Sequence, residues 1–199
     1  MLAFGENVGP RVTFIRPEVR STEVEELSAG DAFLVLFRRF LRSYGPATIG
    51  DFTHWWGSLR EEDRSLLRHR QEGQEEVELN GHKGLMLKDD AEAARSLTPT
   101  RVVRLLPSFD CYAMLYSPRE LFVSNDLRGR IFRAAGWNYP TIMVDGVAAG
   151  TWCMKKGSKA VVVELEPFRS LSAREKKGIQ EEAEDIGRFL SAPVAISAR

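Results

Sequence analysis

The stretch from Asp31 to Lys88 constrains the fold most, because local rules alone predict its order of helices and strands. Apolar residues recur at helical spacing from Phe33 to Tyr44 and form one broad apolar face. This pattern predicts an amphipathic helix. Gly45-Pro46 should end it, because proline cannot continue a helix and disfavours helical backbone just before itself.

Two shorter helices are predicted next, each starting with a capping box. Thr48 begins T-I-G-D, in which Asp51 can return a hydrogen bond to the cap amide, and Ser58 begins S-L-R-E with Glu61 in the same role. Such reciprocal bonds satisfy amides that the first helical turn leaves free. The third helix is predicted to end near Gly73.

A β-hairpin is predicted after the third helix. Two strand-like runs, EEVELN and GLMLKD, meet at Asn80-Gly81, a dipeptide typical of tight hairpin turns. Three helices followed by a hairpin is the order of a winged helix-turn-helix, whose last helix usually faces the major groove of DNA. We therefore expect a winged-helix domain over residues 31–97, after a leading segment of residues 1–30.

Basic side chains on the third helix and the wing are the first candidates for DNA contact. They are Arg60, Arg64 and Arg68 at i, i+4 spacing, His69 and Arg70 beside them, and His82 and Lys83 at the turn of the wing. The same helix also carries several acidic residues, and mixed charges on a helix face most often form a solvated, ion-paired surface. Charge alone favours that solvated surface, whereas the order of elements favours DNA binding.

The rest of the chain changes character. Residues 89–100, DDAEAARSLTPT, are polar and end in Thr-Pro-Thr, which predicts a domain boundary near residue 98. Strand-like runs follow in RVVRLLPSFD, YAMLYS and RELFV, then a short helix in SNDLRGRIFRAAG. A β-meander is predicted around turns at Asp145-Gly146 and Gly157-Ser158.

The last predicted element is an amphipathic helix in SAREKKGIQEEAEDIGRFL, capped by Ser172 with Glu175 and lying across the preceding sheet. Its expected buried stripe is Ile179, Ala183, Ile186 and Phe189 or Leu190. Only the tail after Leu190 has no predicted contacts. The predicted fold class is therefore α+β: a winged helix-turn-helix unit followed by a small antiparallel β-meander domain, residues 98–199, packed by a C-terminal helix.

Composition narrows the classes of partner. The chain has 28 Lys+Arg and 28 Asp+Glu, which argues against a strongly cationic, non-specific nucleic-acid binder. Cys111 and Cys153 are expected to be small core residues on strands, and the three histidines lack zinc spacing, so no metal or cofactor is expected. No apolar run approaches the length of a membrane helix, and the N-terminus does not resemble a signal peptide. We expect a soluble, cytoplasmic protein without a membrane partner.

Two blocks of sequence together resemble a known family. They are LVLFRRFLRSYGPATIGDFTHWWG, residues 34–57, and LLPSFDCYAMLYSPRELFV followed by IFRAAGWNYPTIMVDGVAAGTW, which ends at Trp152. The pairing of YGPAT-x-x-DF-x-x-WWG with LLP-x-FD and VDG-x-x-x-GTW is similar to the winged-helix DNA-binding family that contains bacterial DNA glycosylases for alkylated and crosslinked DNA. The resemblance implies double-stranded DNA as the partner.

The resemblance also implies something that this chain lacks. Members of the family usually begin with a further winged-helix region, which carries a Gln-x-Gln or Gln-x-Asp motif taken to hold the catalytic water. This sequence has no such motif, since Gln71 and Gln74 are separated by two residues. The resemblance therefore implies a DNA-binding scaffold without catalytic residues of its own, working with a missing N-terminal domain or partner chain.

Two aspartates are candidates for a catalytic role, because base excision needs a carboxylate or amide to orient a water. Asp110 in LLPSFD is a weak catalytic candidate, since an aspartate after a strand commonly caps the next turn. Asp145 precedes a glycine in a predicted hairpin and is expected to be structural.

A second basic patch is predicted at a hairpin tip, where Lys155, Lys156 and Lys159 cluster without an acid among them. Such a tip suits phosphate contacts, and the resemblance implies that a hairpin of the C-terminal domain lies against DNA. The four tryptophans are expected in the core by default. Trp152, beside the lysines, is the best candidate for partial exposure.

Three functions remain open at this point. The first is duplex DNA binding without catalysis. The second is a DNA glycosylase acting on alkylated bases through Asp110. The third is a protein-interaction or structural module, which the zero net charge and the acids on the third helix favour.

Overall fold

The computed structural model describes residues 3–16, 27–98, 100–115, 119–157 and 160–198. The chain divides into two compact units, Met1–Phe37 and Arg38–Arg199. In the first unit, β1 (Ala3–Phe4) pairs antiparallel with β2 (Phe14–Ile15). Helix α1 (Ala29–Tyr44) begins in this unit. Ser28 caps it, since its Oγ accepts the Asp31 N–H at 3.1 Å.

The second unit opens with the predicted helices. Helix α1 ends before Gly45-Pro46, and α2 (Ile49–Trp56) and α3 (Glu61–His69) follow. The capping box of α2 is confirmed: Thr48 Oγ1 accepts the Asp51 N–H at 3.0 Å, and Asp51 Oδ2 accepts the Thr48 N–H at 2.8 Å. Phe40 packs against Phe52 and Trp55, with ring centroids 5.1 and 5.4 Å apart, and anchors this core.

The predicted capping box at Ser58 is wrong. Helix α3 begins at Glu61, and its N-cap is Arg60, whose side chain makes no capping bond. The later start places all three acids of E-E-D in the first turn, where negative charge is favoured by the helix dipole.

The predicted hairpin is present as β3 (Gln74–Leu79) and β4 (His82–Leu87), which pair in register from Gln74↔Leu87 to Leu79↔His82. Its turn is Asn80-Gly81, both with positive φ. Ala47, between α1 and α2, exchanges two backbone hydrogen bonds with Leu85 at 3.1 and 2.8 Å. Gly84 permits this approach, because a Cβ there would lie 2.9 Å from the Ala47 nitrogen.

Residues 89–100 are not simply the predicted polar connection, since α4 (Lys88–Ser96) occupies most of them. Alanine, glutamate and arginine in D-D-A-E-A-A-R are strong helix formers, and the two aspartates lie in the first turn. Ion pairs tie α4 to its neighbours: Arg42 to Asp90 at 2.9 Å and Arg95 to Glu75 at 2.7 Å. The predicted domain boundary near residue 98 lies within the second unit and remains a prediction.

A five-stranded sheet forms the rest of the second unit. Its strands are β5 (Val103–Leu106), β6 (Thr141–Val144), β7 (Val147–Lys156), β8 (Val161–Pro167) and β9 (Val194–Ala198), in that spatial order. The predicted turn at Asp145-Gly146 joins β6 and β7, and both of its residues have positive φ. The first four strands are antiparallel, as expected of a meander.

The tail after Leu190 is not without contacts, as the sequence suggested, but forms β9. This strand pairs parallel with β8, so the sheet is not wholly antiparallel. A parallel pair needs a long crossover, which α7 (Ala173–Leu190) supplies. Val194 and Ile196 pack against the same core as α7.

Helix α7 has the predicted capping box of Ser172 with Glu175. Ile179 and Ala183 are buried against the sheet as predicted, and Ile186 packs beside them. Phe189 is instead 89% exposed and Leu190 is exposed as well, so that end of the predicted stripe is wrong. The buried stripe continues through Gly187, where a Cβ would lie 2.7 Å from a methyl group of Val194.

The segment between β5 and β6 differs most from expectation. YAMLYS and RELFV were predicted as strands, but α5 (Cys111–Leu115) and a 3₁₀ turn (Arg119–Leu121) occupy their described parts. The expected helix in SNDLRGRIFRAAG is only α6 (Arg128–Ile131), followed by a 3₁₀ turn (Ala134–Gly136). Apolar residues of this segment, Ala113, Phe122, Val123 and Ile131, form a second core with Ala148 of β7.

Over the ranges described, no helix combines the length and apolarity needed to cross a membrane.

Candidate nucleic-acid interface

Helix α3 carries two kinds of arginine. Arg60 bonds Asp63 at 3.0 Å, and Arg68 pairs with Glu61. The hydrogen bond from Arg60 lowers the pKa of Asp63 below its usual value. Arg64 and Arg70 form no ion pair with any residue that the structure describes. The interpretation of this helix face as a solvated, ion-paired surface therefore fits only Arg60 and Arg68.

The histidine beside these arginines is turned toward its own helix. His69 Nδ1 lies 2.7 Å from the Ser65 carbonyl oxygen. A carbonyl only accepts, so Nδ1 carries the proton and donates in this contact. The Nε2 atom of the exposed ring makes no hydrogen bond to the residues that the structure describes.

The turn of the β3–β4 hairpin presents His82 and Lys83, both exposed. Lys83 Nζ lies 2.9 Å from Glu76 Oε1 across the hairpin. The two side chains are more than 60% exposed, so water and salt weaken the pair.

The second basic patch, at the β7–β8 hairpin, also has one lysine in an ion pair and one without. Lys155 Nζ lies 2.7 Å from Glu164 Oε1, whose side chain is 16% exposed. Lys156 is exposed and pairs with no acid in the described part of the chain. Lys159 lies outside the described residues, as does Ser158 of the predicted Gly157-Ser158 turn.

Asp110 and Asp145 both accept hydrogen bonds from backbone N–H groups. Asp110 Oδ1 accepts the N–H groups of Tyr112 at 2.9 Å and Ala113 at 3.4 Å, and so caps α5. Asp145 Oδ1 accepts the Val102 N–H at 2.7 Å.

Arg119 lies over an aromatic ring and forms no ion pair with Asp110. Its guanidinium is 4.5 Å from the centroid of the Phe132 ring. Burial lowers the pKa of Arg119, and the charge of nearby Arg128 lowers it further.

The cysteines and tryptophans also depart from expectation. Both thiols are free, and Cys111 is exposed on α5 rather than buried on a strand.

Trp152 is half-buried, and its Nε1–H donates to the Leu106 carbonyl at 2.9 Å. Trp152 is thus partly exposed as expected, but Trp137 at 60% and Trp56 at 50% are more exposed, so the default expectation of a core position is wrong for those two.

A polar groove of about 300 Å³ was not found from the sequence. Its lining includes Arg130, Arg133, Tyr139, Trp152 and Glu166. Arg130 pairs with Glu166 at 2.7 Å, and the Arg133 guanidinium stacks 4.3 Å from the Tyr139 ring centroid. A signal was available, since residues 127–144 hold three arginines and no acid.

A family model, a known protein and a solved structure are similar to this chain. The family model described as "DNA glycosylase AlkZ-like" matches residues 2–189. An interstrand DNA cross-link repair glycosylase of Streptomyces sahachiroi is 29% identical over an alignment of 195 residues that covers 94% of this chain and 51% of that protein. The solved structure of Streptomyces sahachiroi DNA glycosylase AlkZ is similar with a TM-score of 0.78 and 27% identity, over 98% of this chain and 54% of that one. The chain spans about half the length of both.

Proposed function

Because the chain belongs to the AlkZ-like DNA glycosylase family, we propose that it binds duplex DNA through a winged helix-turn-helix and a lysine-bearing hairpin. We further propose that it supplies no catalytic residue of base excision itself. The winged unit comprises α1 to β4, and the hairpin is β7–β8. A further N-terminal region or a partner chain would complete the architecture of the longer relatives.

The observation that carries this proposal is the backbone bridge between Ala47 and Leu85. It adds the segment between α1 and α2 to the β3–β4 hairpin as a minimal third strand. The resulting order is helix, strand, helix, helix and hairpin, which a plain helical bundle would not need. In helix-turn-helix modules the second helix of the turn unit enters the major groove, which assigns that part to α3.

The charges of α3 support a phosphate contact that is local rather than general. Arg64 and Arg70 form no ion pair with an acid among the described residues. Arg60 and Arg68 would have to break an existing ion pair before binding a phosphate. Exposed ion pairs are worth up to about 1 kcal/mol each, so Arg60 and Arg68 lose part of the gain from a phosphate contact when they leave their acids. We expect Arg64 and Arg70 to contribute most, with Lys156 as their counterpart on the β7–β8 hairpin.

The proposed absence of catalysis has two supports. The chain contains no Gln-x-Gln or Gln-x-Asp motif. In addition, Asp110 uses one carboxylate oxygen to cap α5, which weighs against a free carboxylate waiting for a water.

The test is duplex binding, measured by fluorescence anisotropy across a series of salt concentrations. For B-DNA the logarithm of the binding constant falls with the logarithm of salt by about 0.9 per phosphate contact. The double variant Arg64→Ala, Arg70→Ala should therefore reduce the slope by about 1.8. Removing Arg60 instead would leave Asp63 unneutralised, so its loss would confuse contact with repulsion.

The matched control is Arg101→Ala, Lys176→Ala, which removes the same charge from exposed positions that pair with no acid among the described residues. Equal losses in both double variants would mean a general charge effect and contradict the role of α3. A wild-type protein that binds no duplex at low salt would refute the proposal and favour a protein-interaction module.

A second candidate is a DNA glycosylase, because the Streptomyces sahachiroi relative is an interstrand DNA cross-link repair glycosylase. Incubation with crosslinked or alkylated duplex, followed by alkali, would reveal abasic sites as strand breaks. Breaks that accumulate with time would support this candidate and contradict the proposed lack of catalysis.

A further inference from the structure

Two large aromatic side chains meet at the surface without being covered. Trp137 is 60% exposed and Phe109 is 50% exposed. Their ring centroids are 4.9 Å apart, in an edge-to-face arrangement of 64°. We call these two residues the aromatic pair.

Phe109 is held outward by its backbone. Its φ is +61°, and a bulky residue in this left-handed region is a true outlier. Such strain persists only where the surroundings impose it. Here Asn138, 4% exposed, accepts the Phe109 N–H on its Oδ1 at 2.7 Å.

Trp137 lies at the end of a closed loop. The Arg133 N–H donates to the Trp137 carbonyl at 2.7 Å, and Gly136 within the loop has a φ of +77°. The Tyr139 N–H donates to the Ile131 carbonyl at 2.9 Å. Hydrogen-bonded backbone on both sides therefore fixes the base of the loop that carries this ring.

The segment that carries Trp137 is basic, whereas Asp110, which follows Phe109, uses its Oδ1 to cap α5. Residues 127–144 contain Arg128, Arg130 and Arg133 and no acid. Arg130 pairs with Glu166, but neither Arg128 nor Arg133 has an acidic partner within the described ranges. These two arginines are therefore available to bind an anion on the segment that carries Trp137.

We propose that the aromatic pair is a stacking site for an unpaired nucleobase, with Arg133 and Arg128 holding the phosphates on either side of it. Every base has a π face, and exposed aromatic rings beside a cationic track are how single strands are bound without sequence preference. An apolar protein segment would fit the rings but would leave both arginines without a counter-charge. This site rests on the proposed DNA binding for the identity of its ligand.

The test isolates stacking from charge. One duplex carries a single-stranded tail of about six thymidines, within the range of common single-strand sites, and a second carries an abasic tail with the same phosphates. Wild-type protein should bind the thymidine tail more tightly. Loss of one stacked base is worth about 1–3 kcal/mol, so Trp137→Ala or Phe109→Ala should lower that preference by between about 5-fold and about 150-fold.

Three comparisons complete the design. Trp137→Phe should keep most of the preference, because it retains a π face. Phe189→Ala, which removes an 89% exposed ring from α7, should leave it unchanged. A fully paired duplex, measured in parallel, reports the proposed duplex binding alone.

Each outcome separates the two proposals. Wild-type binding to paired duplex with equal affinity for both tails would overturn the stacking site and leave the proposed function standing. A Trp137-dependent preference for the thymidine tail without paired-duplex binding would support stacking and refute duplex binding. A Trp137→Ala variant that dissociates an oligomer but keeps the tail preference would identify the pair as a protein contact and overturn the stacking site.

Discussion

The ion pair at the start of α7 should make the stability of this protein fall at low pH. Glu175 Oε1 and Oε2 lie 2.7 and 3.1 Å from the two terminal nitrogens of Arg169, and Oε2 also accepts the Ser172 N–H at 2.7 Å. These hydrogen bonds lower the pKa of Glu175 from 4.5 to about 2. Glutamine at this position can still close the capping box, so Glu175→Gln removes the charge and keeps the cap.

The shift sets an upper bound for the contribution of this carboxylate. A difference of one pKa unit equals about 1.4 kcal/mol, which gives about 3 kcal/mol at neutral pH. The Glu175 side chain is 10% exposed but Arg169 is 52% exposed, and solvent screening reduces the expected value to about 1–2 kcal/mol. Because the folded pKa is depressed, this stability is present above pH 4.5 and is lost as the pH falls toward 2.

Urea unfolding of wild type and Glu175→Gln at several pH values would measure the effect. The difference in unfolding free energy should be about 1–2 kcal/mol at pH 7 and shrink steadily between pH 5 and about pH 2. Asp51→Asn, in the capping box of α2, is the matched control, because no ion pair of Asp51 occurs among the described residues. Its cost at pH 7 should be smaller. A Glu175→Gln difference that stays constant from pH 7 to pH 2 would refute the reasoning.

Three further outcomes are expected. Lys156→Ala should weaken duplex binding and reduce the salt slope by about 0.9, while Lys155→Ala should have less effect because Glu164 already holds that lysine; anisotropy titrations would contradict this if the order were reversed. Gly84→Ala should destabilise by about 1–3 kcal/mol in urea unfolding, since its Cβ would meet backbone at 2.9 Å, whereas Gly129→Ala, with open space, should be near neutral. Asp110→Ala should cost about 0.5–2 kcal/mol and Asp110→Asn much less, because asparagine caps as well as aspartate; loss of a measurable glycosylase activity in the asparagine variant would show that the carboxylate is catalytic.

The parts of the fold that the sequence predicted depend on residues within a few positions of each other. Thr48 with Asp51, Asn80-Gly81, Asp145-Gly146 and Ser172 with Glu175 each complete their hydrogen bonds or turn locally. The signal is therefore present in a short window of sequence, whatever the rest of the chain does.

The parts that were missed depend on distant partners. Strand β9 exists because it pairs with β8 across the whole of α7. Phe189 was expected inside because it fits the helical period, yet Gly187 takes the place against Val194.

The candidate site shows the same division between local and distant information. The basic residues themselves could be read from the sequence. Their pairing could not, since Lys155 meets Glu164 and Lys83 meets Glu76 across strands whose register is set by folding. The Phe109–Trp137 pair brings together residues 28 positions apart on two loops. No local sequence pattern predicts such a contact.

The parallel pairing of β8 with β9 has a consequence for the order of events during synthesis. Strands β5 to β8 can pair as soon as residue 167 leaves the ribosome, but β8 gains its outer neighbour only after residues 194–198 have been added. Contacts of long sequence separation form late because the intervening chain must first be closed. We expect the β7–β8 hairpin of a nascent chain to resist proteolysis only after β9 has emerged. Ribosome-stalled chains of increasing length, treated briefly with protease, would contradict this if protection of the hairpin were complete before residue 194.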